Sequence, residues 1–353
     1  MSLEMIKKAA ICLGVSAISV NAHAITPDSS TTKVIHNVDN VEDLTVINHD
    51  WVLGGGLPDN QGQGHFYLFS TLDKTARNIS GNIASKPDKE RFSSCTTPPD
   101  FNQLTPHGLD YDSQHQTAYI VNHGGRESIE VFHVDTRGGG EPSLSWQGCI
   151  PAPKGAYLNA VSVIDPDHIV FTDISPLDKQ ENRDRMEAGQ PLGGLYEWQA
   201  SKGVTRIHAA DKFSGPNGVV TGDNGKSIYM VATGNRAVVK FKRQGDDYTT
   251  TQTKVPFSPD NVNWTPDHSA IMVGGQASSF SDVVKCNDQK TANCNYVPTS
   301  LSLMDPESLQ LKTVLPSGNY AGLTSGTGAV VVNHELWLSS TKNDRVVVMP
   351  LKK

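Results

Sequence analysis

Hydrophobic and polar residues alternate over short stretches along most of the chain, and few stretches have a helical period. Two such alternating runs, around Ile120 and Ile129, are separated by the pair Gly124-Gly125. Alternation with period two indicates half-buried strands, and glycines between the runs indicate a turn. The pattern predicts a strand pair, with His107 and His123 at the loop ends of the strands.

This layout, a polar opening followed by alternating strands, recurs along the chain. The openings lie at residues 42, 107, 159, 217, 260 and 325, at intervals of 65, 52, 58, 43 and 65 residues. Propeller blades of four strands repeat at roughly 40–50 residues. The sequence predicts an all-β fold, a six-bladed β-propeller over residues 25–353 with an axial metal site. A pair of β-sandwiches is the alternative, but it does not explain a polar residue at each opening.

Three stretches add to or interrupt this repeating layout. Residues 45–53 are predicted to form one strand. Residues 33–38 form an isolated strand, which in a ring would complete the sheet of the C-terminal strands and hide both edges. The charged, helix-permissive stretch 174–191 interrupts the third unit. It is either a solvated surface loop or a lid over the axial pocket, because long insertions in compact folds are often functional.

Composition supports a turn-rich β protein and narrows its partners. The chain of 353 residues contains 31 Gly and 20 Pro, and 19% of its residues are charged. A formal net charge of -7 argues against nucleic-acid binding, which needs a basic face. The expected partner is a small molecule, and the expected state is a monomer.

The N-terminus has the three regions of a secretory signal peptide. Lys7-Lys8 is followed by an apolar run over residues 9–20 and then by Ala22-His23-Ala24. The apolar run is too short to span a membrane as a helix. The sequence predicts a signal peptide over residues 1–24 and a periplasmic or secreted mature protein without an integral membrane segment.

Four cysteines remain after Cys12 leaves with the signal peptide. An even number of cysteines in an oxidising compartment indicates disulfides. Cys286 and Cys294 enclose a short polar loop and pair most easily, which leaves Cys95 for Cys149. A zinc site is the competing interpretation, but the cysteine spacing does not favour it.

Carboxylate and amide side chains recur at the openings of the units. Taken singly, an Asn or Asp is more often a turn or cap residue. The recurrence at successive openings is what indicates a metal site, because Ca²⁺ binds six to eight hard oxygen ligands whereas zinc prefers His or Cys. The candidate ligands are Glu42, Asn159, Asn217, Asp260 and Asn261.

An ordered set of short segments resembles the calcium-dependent six-bladed propeller hydrolases, in particular the paraoxonase and arylesterase branch, with gluconolactonases as more distant relatives. The segments are VEDL at Glu42, PHG at His107, VNH at His123, LN at Asn159, PNG at Asn217 and DN at Asp260. The resemblance implies that the candidate oxygen ligands hold one catalytic Ca²⁺. It also implies that His107 acts as general base on a water and that His123 orients it or relays the proton.

Two features depart from this family. A second, buried calcium of the family uses an aspartate at the position of Ala160, so a second structural ion is doubtful here even though Asp43 is present. The paraoxonases join their two ends by a disulfide, whereas no cysteine of the mature chain lies near either terminus. Ring closure would then depend on strand pairing alone.

The resulting hypothesis is an exported calcium-dependent hydrolase of lactones or aryl esters. Calcium polarises a carbonyl and stabilises the oxyanion, and a neutral imidazole takes a proton from water. One alternative is a non-catalytic binding propeller with a structural ion, since this fold has many functions. Another is a synthase-like propeller enzyme, which the presence of both His107 and His123 disfavours.

Overall fold

A computed structural model describes residues 25–289 and 294–352, and the predicted signal peptide lies outside the described residues. The strands form six sheets, each with four or five strands, in which neighbours in the sheet are mostly neighbours in the chain. The predicted six-bladed β-propeller is confirmed. Among the described residues, no helix has the length and apolar character needed to span a membrane.

The first half of the chain forms β1, three complete blades and one helix. Strand β1 is Lys33–His36, after a 3-10 turn at Ser29–Thr31. Blade 1 consists of β2 (Val41–Val46), β3 (Trp51–Gly56), β4 (His65–Ser70) and β5 (Thr75–Asn78). Blade 2 consists of β6 (Ala84–Ser85), β7 (Pro106–Asp112), β8 (Thr117–Asn122), β9 (Ser128–Asp135) and β10 (Ser143–Pro151). Blade 3 consists of β11 (Leu158–Asp165), β12 (His168–Asp173), β13 (Gly194–Gln199) and β14 (Gly203–Arg206), with helix α1 (Gln180–Glu187) between β12 and β13.

The second half of the chain forms the other three blades. Two further short 3-10 turns lie between blades, at Ser80–Asn82 after β5 and at His208–Ala210 after β14. Blade 4 consists of β15 (Pro216–Gly222), β16 (Ser227–Ala232), β17 (Ala237–Gln244) and β18 (Asp247–Lys254). Blade 5 consists of β19 (Ser258–Trp264), β20 (Ile271–Gln276), β21 (Thr299–Met304) and β22 (Leu311–Gly318), with helix α2 (Phe280–Asn287) between β20 and β21. Blade 6 consists of β23 (Gly326–Val332), β24 (Glu335–Ser340) and β25 (Arg345–Pro350), together with β1.

The ring is closed by strand pairing between the two ends of the described chain. Strand β1 runs antiparallel to β25, with Lys33 opposite Val348 and His36 opposite Arg345. This pairing confirms the role predicted for the isolated N-terminal strand. Because β1 pairs with β25, the last blade has four strands like most of the others, and the edge of β25 is covered.

The core is divided into six apolar clusters, one at each interface between adjacent blades. Strand β8 shows why the middle strands are apolar on both faces. Ala118 and Ile120 pack toward blade 1, whereas Tyr119 and Val121 pack toward blade 3. Successive side chains of a strand point to opposite faces, so each middle strand contributes to two cores.

The single strand predicted over residues 45–53 is wrong. Strand β2 ends at Val46 and β3 begins at Trp51. Between them, the Asn48 side chain accepts a hydrogen bond from the Asp50 amide, and the Ile47 amide donates to the Trp51 carbonyl. An Asn side chain that binds the backbone two residues on is a turn signal, and the apolar flanks obscured it.

Both predicted disulfides are present, so the alternative zinc site is wrong. Cys95 pairs with Cys149 on β10, and Cys286 on α2 pairs with Cys294. The first bond joins the long segment before β7 to the outer strand of the same blade. The second fixes the end of α2.

Ring closure through β1 predicts that substitutions at two positions on this strand have very different effects on stability. Ile35 is 3% exposed in the core between blades 6 and 1, whereas Lys33 is exposed on the same strand. We expect Ile35→Ala to lower the free energy of unfolding by about 2–5 kcal/mol. Lys33→Ala, the control, should change it by less than about 0.5 kcal/mol. Denaturant titration measures both, and equal values would contradict closure through β1.

Candidate active site

The innermost strand of each blade lines the axis of the ring, and all six of these inner strands begin at the same end; they are β2, β7, β11, β15, β19 and β23. Next to that end, the pairing between each inner strand and its neighbour shifts register. Such interruptions release side chains from the regular alternation and redirect them. The residues in the interruptions include all of the predicted ligands and the predicted base: Glu42, His107, Asn159, Asn217, Asp260 and Asn261.

Glycines beside these residues allow the inner strands to approach one another. Gly218 follows Asn217, and a Cβ atom added there would lie 2.6 Å from the Asp260 carbonyl oxygen. Gly328 follows Thr327, and its added Cβ would lie 2.9 Å from the Asn261 Cβ. Side chains at these positions would push neighbouring blades apart at the height of the site.

The structure brings the five predicted oxygen ligands together in a buried hub, which we define as Glu42, Asn159, Asn217, Asp260 and Asn261. Their exposed fractions range from 1% to 8%. The Asn261 amide nitrogen donates to Glu42 Oε1 at 2.8 Å across two blades that are not adjacent. The Gln276 amide donates to Asp260 Oδ2 at 2.6 Å. Residues 42 and 261 are therefore neighbours in space although they are far apart in the chain.

Three oxygen atoms of the hub lack hydrogen-bond partners within the described part of the chain. They are Glu42 Oε2, Asn159 Oδ1 and Asn217 Oδ1, and each is buried. Buried polar atoms are normally paired, so three unpaired oxygens from three blades require an explanation. Oxygen atoms of carboxylates and amides are the ligands that Ca²⁺ takes, and the hub residues therefore fit this ion.

Charge in the hub also fits a cation. Burial raises the pKa of Glu42 well above its usual value, and the charges of Asp260 and Asp43 raise it further. Burial raises the pKa of Asp43 to about 7 and that of Asp260 to about 6. A divalent cation would oppose these effects, because positive charge favours the carboxylate forms.

The two predicted catalytic histidines contact each other beside the hub. His107 Nδ1 lies 2.8 Å from His123 Nε2. The other ring nitrogen of His107, Nε2, faces the hub, 3.4 Å from Asn159 Nδ2 and 3.7 Å from Glu42 Oε2. Burial lowers the pKa of His107 well below its usual value, and the neighbouring His123 lowers it further. His107 is thus held as a neutral imidazole.

Three residues of the site were missed by the sequence analysis. Thr327 on the sixth inner strand donates to the Glu42 carbonyl at 2.5 Å, and Glu127 lies 2.9 Å from His123 Nδ1. Gln276 binds Asp260. The sequence signals were the position of Thr327 at the sixth opening and the spacing of four residues between His123 and Glu127. Gln276 carried no signal, because it lies on the second strand of its blade.

The position of the doubtful second ion is occupied by protein contacts. Asp43 Oδ1 accepts the Leu44 amide at 2.8 Å, and Oδ2 accepts the Leu109 amide at 3.0 Å. Ala160 supplies no side-chain ligand, and its amide donates to Thr172 Oγ1. Asp43 therefore joins blade 1 to blade 2 directly. These residues do not fit a second calcium.

Another group of potential metal ligands lies outside the hub. One ligand atom each from Asp39, Asp59 and His65 lies within 4.8 Å of the others. Protein partners already use the His65 ring, since Nε2 lies 3.1 Å from Asp59 Oδ2 and Nδ1 lies 3.0 Å from Asn78 Nδ2. Asp59 Oδ1 also accepts the amides of residues 61 and 63. These contacts give the group a structural explanation.

Helices α1 and α2 pack against each other at the hub end of the ring. The interrupting stretch 174–191 contains α1, whose Met186 is fully buried against Ile174 and Leu192. Arg183 on α1 forms an ion pair with Asp288 after α2 at 3.0 Å. The charged stretch is therefore partly helical and packed, and its role as a lid stays a prediction.

A cavity of about 460 Å³ lies between these helices and the strand ends. Its walls include Tyr157, Leu177 and Val284, with Arg183 and Asp288 at the polar side. Tyr157 also stacks on His123, with ring centroids 4.0 Å apart and an angle of 1° between the planes. The cavity therefore adjoins the histidine pair through one aromatic ring.

Comparison with other proteins agrees with the fold. An arylesterase family model matches residues 68–339, more than half of the chain. The fold is similar to that of a luciferin-regenerating enzyme, with a TM-score of 0.56 and 12% identity over 90% of this chain and 95% of that one. It is also similar to a gluconolactonase from Xanthomonas campestris, with a TM-score of 0.56 and 13% identity over 93% and 94% of the two chains. Such low identities show the fold alone. No curated protein matches the chain.

The close approach of the inner strands gives a testable consequence. In Gly218→Ala, the new Cβ would meet the Asp260 carbonyl oxygen at 2.6 Å, so β15 and β19 must separate. We expect a loss of about 1–3 kcal/mol in unfolding free energy. Gly140→Ala is the control, because nothing lies within 4 Å of its added Cβ. Denaturant titration measures both variants, and equal unfolding free energies would contradict this packing.

Proposed function

The chain belongs to the arylesterase family, and from this premise we propose that it is a calcium-dependent hydrolase of lactones or aryl esters. One observation carries the proposal. Three buried oxygens from separate blades have no hydrogen-bond partner among the described residues, and two of their side chains, Glu42 and Asn159, lie within 3.7 Å of the Nε2 atom of a buried histidine. Hydrolysis of an ester needs a group that polarises the carbonyl and a base that activates water. The hub residues would hold the ion that polarises the carbonyl, and His107 would be the base that activates water.

The hub residues would hold one Ca²⁺. Two carboxylates and three amides supply oxygen donors, and the net charge of the two carboxylates matches that of a divalent ion. When bound, the ion would polarise the substrate carbonyl and stabilise the negative charge that develops on its oxygen. The residues that would hold it are Glu42, Asn159, Asn217, Asp260 and Asn261.

In this proposal His107 removes a proton from the attacking water. Its Nε2 atom faces the hub, and its lowered pKa keeps the ring neutral, which a base requires. His123 lies behind it at 2.8 Å and has no atom within hydrogen-bond distance of the hub ligands among the described contacts. His123 therefore assists His107 rather than acting on water itself.

The substrate would be a small molecule that enters beside the two helices. The cavity of about 460 Å³ lies within the range of ligand pockets, roughly 300–1,000 Å³. Its walls at Leu177 and Val284 are apolar and would contact the non-reacting part of an ester or lactone. We also propose that the protein acts as a monomer in the periplasm or outside the cell, since disulfides persist in oxidising compartments.

Calcium removal tests the metal part of the proposal. A chelator should abolish hydrolysis and lower the melting temperature, because an ion that binds only the folded protein stabilises it. Glu42→Gln should weaken calcium binding at least about tenfold, since it removes a buried anionic ligand. The exposed Glu90 provides a matched control, and Glu90→Gln should bind calcium as the wild type does. Full activity in calcium-free protein would contradict the proposal.

His107→Gln tests the catalytic part. We expect kcat to fall about 10²–10⁴-fold, because the general base is lost. The thermal shift produced by calcium should remain, since the five oxygen ligands are unchanged. A panel of lactones and aryl esters measures the activity. A wild-type protein that is stabilised by calcium but hydrolyses no member of the panel would favour a non-catalytic binding propeller instead.

A further inference from the structure

His123 has a partner on each ring nitrogen. Its Nε2 atom lies 2.8 Å from His107 Nδ1, and its Nδ1 atom lies 2.9 and 3.0 Å from the two carboxylate oxygens of Glu127. Glu127 Oε1 also accepts the Leu158 amide at 2.7 Å. The carboxylate is thus fixed between the second histidine and inner strand β11.

These contacts determine where the protons lie when both imidazoles are neutral. An ionised carboxylate only accepts hydrogen bonds, so the Nδ1 atom of His123 carries the proton. A neutral imidazole has one N–H, so Nε2 of His123 is an acceptor, and Nδ1 of His107 must donate to it. His107 Nε2 is then unprotonated. This is the nitrogen that faces the hub.

We propose that Glu127 is the positioning residue of a three-member relay, Glu127–His123–His107, which keeps the hub-facing nitrogen of His107 free to accept a proton. The proposal rests on the hydrolytic function proposed above. A water proton passes to His107 Nε2, the His107 Nδ1 proton passes to His123 Nε2, and the positive charge on His123 then lies against the Glu127 carboxylate. Only O–H and N–H bonds break and form in these transfers.

Blade 3 holds this relay in place at three successive residues. The Tyr157 ring stacks on His123, and the Leu158 amide binds Glu127. Asn159 belongs to the hub and lies 3.4 Å from His107 Nε2. The segment that contacts the relay therefore also carries one of the oxygen ligands, which fixes their relative positions. Precise orientation of a base is a recognised requirement of acid–base catalysis.

Glu127→Gln is the variant that tests the relay with the least change in shape. The glutamine oxygen is needed to accept the Leu158 amide and stays 3.0 Å from His123 Nδ1, so its NH₂ group takes the place of the other carboxylate oxygen, which lies 2.9 Å from the same nitrogen. A donor at the shorter contact favours an acceptor at His123 Nδ1, which moves the proton of His123 to Nε2. His107 Nδ1 becomes an acceptor in turn, and the His107 proton moves to Nε2, where it blocks the base.

The experiment measures kinetics and histidine nitrogen chemical shifts on the full mature chain with calcium. We expect kcat to fall about 10- to 100-fold, as for other groups that orient a functional residue. KM and the calcium Kd should change less than about twofold, since no substrate or metal contact is lost. NMR of histidine labelled with ¹⁵N should show protonated Nδ1 on both residues in the wild type and protonated Nε2 in the variant.

Two further variants control the interpretation. Asp112→Asn removes a carboxylate that contacts the exposed His115 Nδ1 at 2.6 Å, the same kind of pair away from the hub, and should leave kcat unchanged. Glu127→Ala leaves room for a small carboxylate, and added formate should restore part of its kcat. Restoration would show that the charge and the acceptor are needed at this place.

The spectra distinguish failure of the relay from failure of the proposed function. If the wild type hydrolyses nothing but both histidines change tautomer in Glu127→Gln, the relay holds and the hydrolase proposal fails. If the wild-type histidines carry their protons on Nε2, the relay is overturned. It is also overturned if kcat falls in Glu127→Gln while the tautomer of His107 stays the same, because Glu127 would then have only a structural role.

Discussion

The burial of three carboxyl groups at the hub end of the axis is the constraint on which the rest of the structure depends. Glu42, Asp43 and Asp260 are all nearly inaccessible to water. A buried carboxylate is costly unless hydrogen bonds or opposite charge compensate for it. Asp43 is compensated by two backbone amides. Glu42 accepts the Asn261 side-chain amide, and Asp260 is stabilised by the side chains of Gln276 and Asn217. The remaining oxygens are left facing one another, in an arrangement that suits a divalent cation.

The apolar cores between the blades hold this arrangement against its own repulsion. Each middle strand packs toward two neighbouring blades, so a shift of one blade disturbs two cores. The pairing of β1 with β25 closes the ring, so the inner strands cannot move apart without disrupting it. The register shifts and adjacent glycines then place the polar residues within contact distance. The packing that stabilises the ring therefore also determines the geometry of the site.

The six blades contribute different groups to the site. Blades 1, 3, 4 and 5 supply oxygen atoms, blade 2 supplies both histidines and Glu127, and blade 6 supplies Thr327, which binds the Glu42 backbone. Neighbouring strands of a blade are antiparallel. The strand next to each inner strand therefore ends where the inner strand begins, and its connection to the following strand lies at that end of the ring. Insertions between β12 and β13 and between β20 and β21 therefore lie near the site, and they carry the two helices that border the cavity.

The sequence by itself determined the six units, the closing strand, the disulfide pairs and the residues at the unit openings. Those features depend on local period, turn residues and recurrence, which can be read along the chain. The sequence did not determine the two strands within residues 45–53, where apolar flanks concealed the turn at Asn48. Only the tertiary structure decided that Gln276 binds Asp260 and that the Glu127 carboxylate accepts the Leu158 amide. Such contacts depend on how strand registers and ring closure bring distant backbones together, and no local pattern encodes those distances.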